Sequence, residues 1–224
     1  MKVSAGPFKA LIIDWDGTLI DSLPLKIENA AALFCERFGL DEADVAESYA
    51  RHSGVPRRIL FDRISFDCRG SVLSDAEFDS LSSAFTEQNN RRIAAEGDLR
   101  PGTMSTLSRL RELGVLLYIS TAAAQEEIDS LARHFGLARV CDGIFGSRPT
   151  FSKGPDHANA VIERHGLRRS DVAGIGDDTA DMELFRESGI FPMGITGTRS
   201  RAELQSAGAE VVVDRLEDVV DYVN

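Results

Sequence analysis

The sequence predicts an α/β fold: a doubly wound parallel sheet of Rossmann-like type, with a small all-helical cap inserted after the first strand. Three observations carry this. Short apolar runs at Ala10–Ile13, Val115–Ile119 and Val172–Ile175 each end in polar residues, the pattern of buried strands. Helical patterns separate them, and strands alternating with helices build a parallel sheet. Between Pro24 and Asp98 only helical patterns occur, so that block is expected to stand apart from the sheet as a lid.

Length and composition set the bounds. A chain of 224 residues suits one core domain with an insertion: a core of residues 1–21 and 99–224, and a cap of residues 22–98. The net charge of −11 argues against a nucleic-acid partner or an anionic membrane surface. A phosphorylated small molecule stays compatible, because a local cation can reverse the potential of one cleft. Cys35, Cys68 and Cys141 are odd in number and widely spaced. They point to free thiols in a reducing cytoplasm, not to disulfides or a zinc site. MKVSAGPFK at the start is not a signal peptide, and no apolar run has the length to cross a bilayer. Monomer and homodimer fit equally well.

The elements follow in order. Ala10–Ile13 is a strand that stops at Asp14, with Asp16, Gly17 and Thr18 turning the chain. Asp21 and Ser22 are capping types ahead of Leu-Pro, and Leu25–Phe38 reads as an amphipathic helix stopped by Gly39. Helical patterns continue over Glu42–Arg51, Pro56–Phe66 and Ser74–Ala95. Arg100-Pro101-Gly102 marks the return to the core, followed by a helix over Thr103–Leu113 and the strand Val115–Ile119, ending at Ser120-Thr121. A helix over Glu126–Phe135, a strand over Cys141–Phe145 and a helix over Pro155–His165 come next. Val172–Ile175 is a strand ending in Gly176-Asp177-Asp178, ahead of a helix over Asp181–Ser188. Ile190–Ile195 and Ala209–Val213 are strands flanking a helix over Arg199–Ser206, and Leu216–Val223 is a terminal helix.

Parallel strands present their C-terminal ends on one edge of the sheet, where open α/β sheets bind ligands. There this chain carries Asp14 and Asp16, then Ser120 and Thr121, then Asp177 and Asp178, with Lys153 in a loop-like stretch before a helix. Two carboxylates side by side repel, and a divalent cation compensates them. Mg²⁺ suits a few carboxylates completed by water and phosphate.

DWDGT (Asp14–Thr18), Ser120 at a strand end, Lys153 in SKGPD and GIGDDTAD (Gly174–Asp181) resemble, in order, the four motifs of the haloacid dehalogenase-like superfamily. The resemblance spans nearly the whole chain and implies an enzyme, a phosphoric monoester hydrolase. It makes Asp14 the nucleophile that becomes an aspartyl-phosphate and Asp16 the general acid and base. Mg²⁺ would be held by Asp14, the backbone carbonyl of Asp16 and Asp177, supported by Asp178 and Asp181. Ser120 and Lys153 would bind the phosphoryl oxygens, with Thr121 lending its backbone N–H. Thr18 is expected to orient Asp16, and Trp15 to form a hydrophobic wall. A helical cap after the first motif is similar to that of the phosphoglycolate phosphatase and β-phosphoglucomutase branch. Its loop His52–Arg58 offers Arg57 as the ligand for a second anionic group on the substrate. His157 and His165 share a helix without further ligands nearby and read as surface residues. The expected activity is Mg²⁺-dependent hydrolysis of a small phosphorylated metabolite. The alternatives are a phosphomutase of the β-phosphoglucomutase type, or a ligand-binding module that has lost catalysis.

Overall fold

A computed structural model describes residues 8–223. Its sheet has six strands in the order β3-β2-β1-β4-β5-β6, every neighbouring pair parallel. The strands are β1 (Ala10–Ile13), β2 (Leu116–Ala124), β3 (Gly143–Ser147), β4 (Val172–Gly176), β5 (Phe191–Ile195) and β6 (Val211–Val213). The core helices are α5 (Thr103–Glu112), α6 (Gln125–His134), α7 (Pro155–His165), α8 (Thr179–Glu187) and α9 (Arg201–Ser206). All four residues of β1 are buried, as a strand covered on both faces requires. Leu11 and Ile13 pack with Leu107 of α5 and Ile128 of α6, while Ala10 and Ile12 pack with Val161 of α7 and Phe185 of α8. The period of two along β1 thus feeds two separate apolar layers, and the sheet is doubly wound.

From β1 the chain builds outward to β2 and β3, then returns to β4 on the other flank. That reversal makes β1 the switch point, where a crevice opens at the strand ends. Register sets what meets there. Ile13 pairs with Ile119 and with Ile175, so the residues just beyond them converge: Asp14, Ser120 and the Gly176-Asp177 turn.

Between β1 and α5 lie four helices, α1 (Leu23–Phe38), α2 (Glu42–His52), α3 (Arg57–Arg69) and α4 (Asp75–Glu96). They enclose an apolar cluster of their own, with Phe61 meeting the rings of Phe34 and Phe85 edge-on at 5.4 and 5.2 Å. Local signals explain the boundaries. Asp41 caps α2 by accepting from two backbone N–H groups, and Ser74 with Glu77 forms a reciprocal capping box on α4. Gly39 and Gly70 end α1 and α3 in the left-handed region.

Three details differ from the sequence reading. β2 runs on to Ala124, past the polar pair at which it was expected to stop, with an irregularity against β3 between Ser120 and Ala124. Polar residues at a strand's C-terminal end belong to the ligand edge here and do not mark the strand's end. β3 sits at Gly143–Ser147, two residues later than Cys141–Phe145. The terminal segment Leu216–Tyr222 is 3₁₀, not α. Leu216 and Val219 are its buried residues, and a spacing of three matches that helix's repeat.

Candidate active site

Asp14 leaves β1 buried, its N–H donating to the Ile175 carbonyl at 2.8 Å. Lys153, in the turn before α7, donates to Asp14 Oδ1 at 2.6 Å and also forms an ion pair with Asp181 of α8. Asp177, at the end of β4, accepts from the Thr18 hydroxyl at 3.0 Å. Carboxylate oxygens of Asp14, Asp177 and Asp181 lie within 4.8 Å of one another. Gly17 makes this approach possible: its φ is +78°, and a Cβ there would lie 2.1 Å from Asp177 Oδ2.

The electrostatics follow from crowding and burial. Burial raises the Asp14 carboxyl well above its ordinary pKa, and Asp181, Asp177 and Asp16 add to the rise against the pull of Lys153. Burial and Asp181 push Asp177 up to about 6, while hydrogen bonds from Thr198 and Thr18 oppose the shift. Burial works against the Lys153 ammonium, but Asp14 and Asp181 outweigh it and raise its pKa.

Asp16 points elsewhere. Its carboxylate accepts from the Ser22 hydroxyl and, at 2.7 Å, from Lys26 Nζ of α1. Lys26 lies 3.3 Å from Glu127 of α6, and Glu127 is also paired with Arg57 of α3. Asp178 pairs with Arg199 at 3.0 Å and caps α8 through the Ala180 N–H. Within this ion-pair network six carboxylates meet four cations. The shortfall equals the charge of one divalent ion, and the all-oxygen donor set of Asp14, Asp177 and Asp181 is of the kind Mg²⁺ takes. The residues present therefore fit the ion.

Other expected site residues fall as follows. Thr121 lines the cleft, its Oγ1 accepting from the Ala123 N–H at 3.1 Å. Ser120 is 1% exposed and its hydroxyl lies 2.8 Å from His157 Nδ1. Thr18 holds Asp177 rather than Asp16. Trp15 is fully buried beside Phe135 in the apolar core and does not line the cleft. Arg57 reaches the cleft but is already bound to Glu127 and, at 2.6 Å, to Thr86 Oγ1. His157 is fully buried, which overturns its reading as a surface residue; burial and Lys153 push its pKa down to about 4. His165 is exposed.

Lys26, Glu127 and Asn89 were missed. The signal was present, since each falls on an apolar stripe. Lys26 leads Asn29, Ala30, Leu33 and Phe34; Glu127 leads Leu131; Asn89 follows Leu81 and Phe85 and precedes Ile93. A charge on a buried helix face asks for a partner.

The raised acids make a prediction. In metal-free protein Asp177 binds a proton more tightly when folded, about 6 against an ordinary 3.8. Its contribution to stability is therefore present at low pH and lost as pH rises from about 4 through about 6. Mg²⁺ binds the ionised form, so the rise in melting temperature on adding Mg²⁺ is expected to be larger near pH 7.5 than near pH 5. Thermal unfolding with Mg²⁺ and with EDTA at both values checks this; equal increments would refute it.

Comparisons with known proteins bear on the family and the fold. A model of the haloacid dehalogenase-like hydrolase family matches residues 8–189. The protein CbbY of Cupriavidus necator is 30% identical, the match covering 94% of this chain and 86% of that protein. A phosphoglycolate phosphatase of Synechococcus elongatus is 26% identical over 96% of this chain and 97% of its own. The fold superposes on a putative phosphoglycolate phosphatase from Lactobacillus delbrueckii with a TM-score of 0.81, at 20% identity, covering 97% of this chain and 99% of the other. It also superposes on a putative β-phosphoglucomutase from Bacteroides vulgatus with a TM-score of 0.78, at 19% identity, covering 97% and 89%.

Proposed function

The chain belongs to the haloacid dehalogenase-like hydrolase family, and from that premise we propose that it is a Mg²⁺-dependent phosphatase that hydrolyses a small phosphate monoester through a phospho-aspartate on Asp14. The observation that carries this reading is the Asp14 carboxylate itself. One oxygen is held by Lys153, and a carboxylate oxygen of the group lies within 4.8 Å of oxygens from two further acids. The Lys153 contact fixes the carboxylate's orientation and leaves Oδ2 to attack phosphorus.

Asp14 and Asp177 would hold the ion, with the backbone carbonyl of Asp16 as the family resemblance implies. Bound there, Mg²⁺ would shield the incoming phosphate from the acids and stabilise charge on the transferred group. Lys153 and the backbone N–H at Thr121 would take the phosphoryl oxygens; Ser120 joins them by turning its hydroxyl away from His157. As Asp14 Oδ2 bonds to phosphorus, the ester P–O bond breaks and Asp16 gives its proton to the leaving alkoxide. The ionised Asp16 then takes a proton from water, which attacks phosphorus, releases inorganic phosphate and regenerates the Asp14 carboxylate. Asp181 and Asp178 act one step back, holding Lys153 and Arg199. Positioning and electrostatics of this kind are most of what phosphoryl transfer asks of a protein.

The three cysteines are unpaired and no helix among the described residues is long and apolar enough to cross a membrane. Both fit a cytoplasmic enzyme. The test is a phosphate-release screen over small monoesters, including sugar phosphates and phosphoglycolate, with Mg²⁺ and with EDTA. Turnover that needs Mg²⁺ and no bisphosphate activator is expected. An obligatory sugar bisphosphate primer would make it a mutase, and binding without turnover a non-catalytic module.

A further inference from the structure

Past the phosphoryl-binding end, the cleft runs between the cap and the end of β2 at Thr121–Ala123, with α6 behind it. The cap presents two cations to it, Lys26 and Arg57. In this family-like layout they are the groups available to meet a second anion on a substrate, and neither is free. Glu127 enters from the core side, on α6, with a carboxylate 0% exposed. One of its oxygens is bound by Arg57 Nη2; the other lies 3.3 Å from Lys26 Nζ and accepts from Asn89 Nδ2 at 3.2 Å. Asn89 is itself fixed by Asn29 at 2.8 Å. Arg57 is further held over the Phe85 ring, 5.0 Å from its centre. Lys26 spends its remaining charge on Asp16 at 2.7 Å.

Asp16, Lys26, Glu127 and Arg57 therefore form a linear chain of alternating charges. Lys26, Glu127 and Arg57 are buried or nearly so, with side-chain exposures of 5%, 0% and 11%, while Asp16 is 25% exposed. Charges desolvated to this degree are retained because each has its partner. An incoming carboxylate or second phosphate would have to take Arg57 or Lys26 from Glu127 and leave that buried acid with one cation in place of two. An uncharged alcohol portion asks for no such exchange. The walls around the pair suit it: Leu23, Val55, Leu60 and Phe85 are apolar, and Tyr49 adds a neutral hydroxyl.

We propose that Glu127 is the specificity-determining residue of this site: by pairing with both Arg57 and Lys26 it selects phosphate monoesters whose leaving alcohol is uncharged, and rejects those that carry a second anion. This rests on the phosphomonoesterase reading above. Glu127 touches neither the transferred phosphoryl group nor Asp14, and acts through the two cap cations.

Two esters of nearly equal size separate the possibilities, 2-hydroxyethyl phosphate with a neutral end and phosphoglycolate with a carboxylate. With Mg²⁺, the unmodified protein is expected to show a kcat/KM at least about tenfold higher for the neutral ester, the scale on which an unmatched polar group is rejected by a binding site. Glu127→Gln, which removes the acid that the two cations share while keeping shape, is expected to move that ratio about tenfold towards phosphoglycolate. Arg57→Met added to Glu127→Gln should reverse most of the gain. A merely structural role would lower both esters equally in Glu127→Gln and leave the ratio still, and that result overturns the proposal. So does a preference of the unmodified protein for phosphoglycolate, which needs no variant to measure. If neither ester is turned over, the hydrolase reading is what fails. Calorimetric binding of the same two esters to the unmodified protein then decides the selection, with tighter binding of the neutral ester supporting it and tighter binding of phosphoglycolate refuting it.

Discussion

Asp14→Asn is expected to abolish phosphate release, with a loss on the order of 10⁴-fold or more, as for removal of other covalent nucleophiles. An amide cannot attack phosphorus and cannot form the mixed anhydride. The change is nearly isosteric, so the loss is not one of shape. Stability should move the other way. Asp14, Asp177 and Asp181 are mutually repelling acids within 4.8 Å, and burial already raises the pKa of Asp14 and Asp177. Taking one negative charge out relieves that repulsion, and Lys153 keeps Asp181 as a partner. The variant should thus unfold at an equal or higher temperature than the parent in EDTA, and gain less from Mg²⁺. Phosphate release against thermal unfolding on the same preparation checks both. Residual turnover above about a tenth of the parent's would remove Asp14 from the nucleophile's place, because another group would then be carrying the reaction.

The fold was legible because its signals are local and repeated. Apolar runs of strand length alternate with helices capped by glycine or a capping box, and that alternation leaves few topologies. Asp14 and Asp177 were visible as strand-end acids, and register alone brings them together, since Ile13 pairs with Ile175 one step before. The partner of each polar side chain was less legible. Thr18 is two residues from Asp16, yet its hydroxyl goes to Asp177, 159 positions away, because the turn at Gly17 swings it across the crevice. His157 was placed at the surface for want of metal ligands nearby. It lies on the buried stripe of α7 with Ala158 and Val161, and periodicity was the better guide than ligand spacing. The Lys26–Glu127–Arg57 chain joins α1, α6 and α3, and no local pattern relates those three helices. Only a charge on an apolar stripe announced each member. The expectation that Arg57 waits for a substrate anion failed to allow for a core acid taking it first.

Lys153→Met removes the only cation that both Asp14 and Asp181 contact among the described residues. Lys153 is 9% exposed, and its ammonium stays charged because two carboxylates outweigh the cost of burying it. Breaking a buried ion pair by deleting one partner costs about 3–5 kcal/mol, since the other partner is left charged and dry. Here two acids are left, and a third, Asp177, already presses on them, so the loss should fall at the upper end in metal-free protein above about pH 6. Below that value Asp177 takes up a proton, and the loss should shrink. Excess Mg²⁺ should restore much of the lost stability, because a dication can stand against the same carboxylates, but it should not restore the rate. In the mechanism proposed above the ammonium also holds Asp14 in its attacking orientation and faces the developing phosphoryl charge, and deleting such a donor costs about 10²–10³-fold in turnover. Lys153→Arg is no rescue, for a planar fork cannot replace a compact charge between two acids. Denaturant melts at about pH 5 and about pH 7.5, with and without Mg²⁺, alongside turnover of one monoester, separate these effects. If stability and rate both recover with Mg²⁺, Lys153 is only a counter-ion for the acids; if stability alone recovers, it also acts on the phosphoryl group.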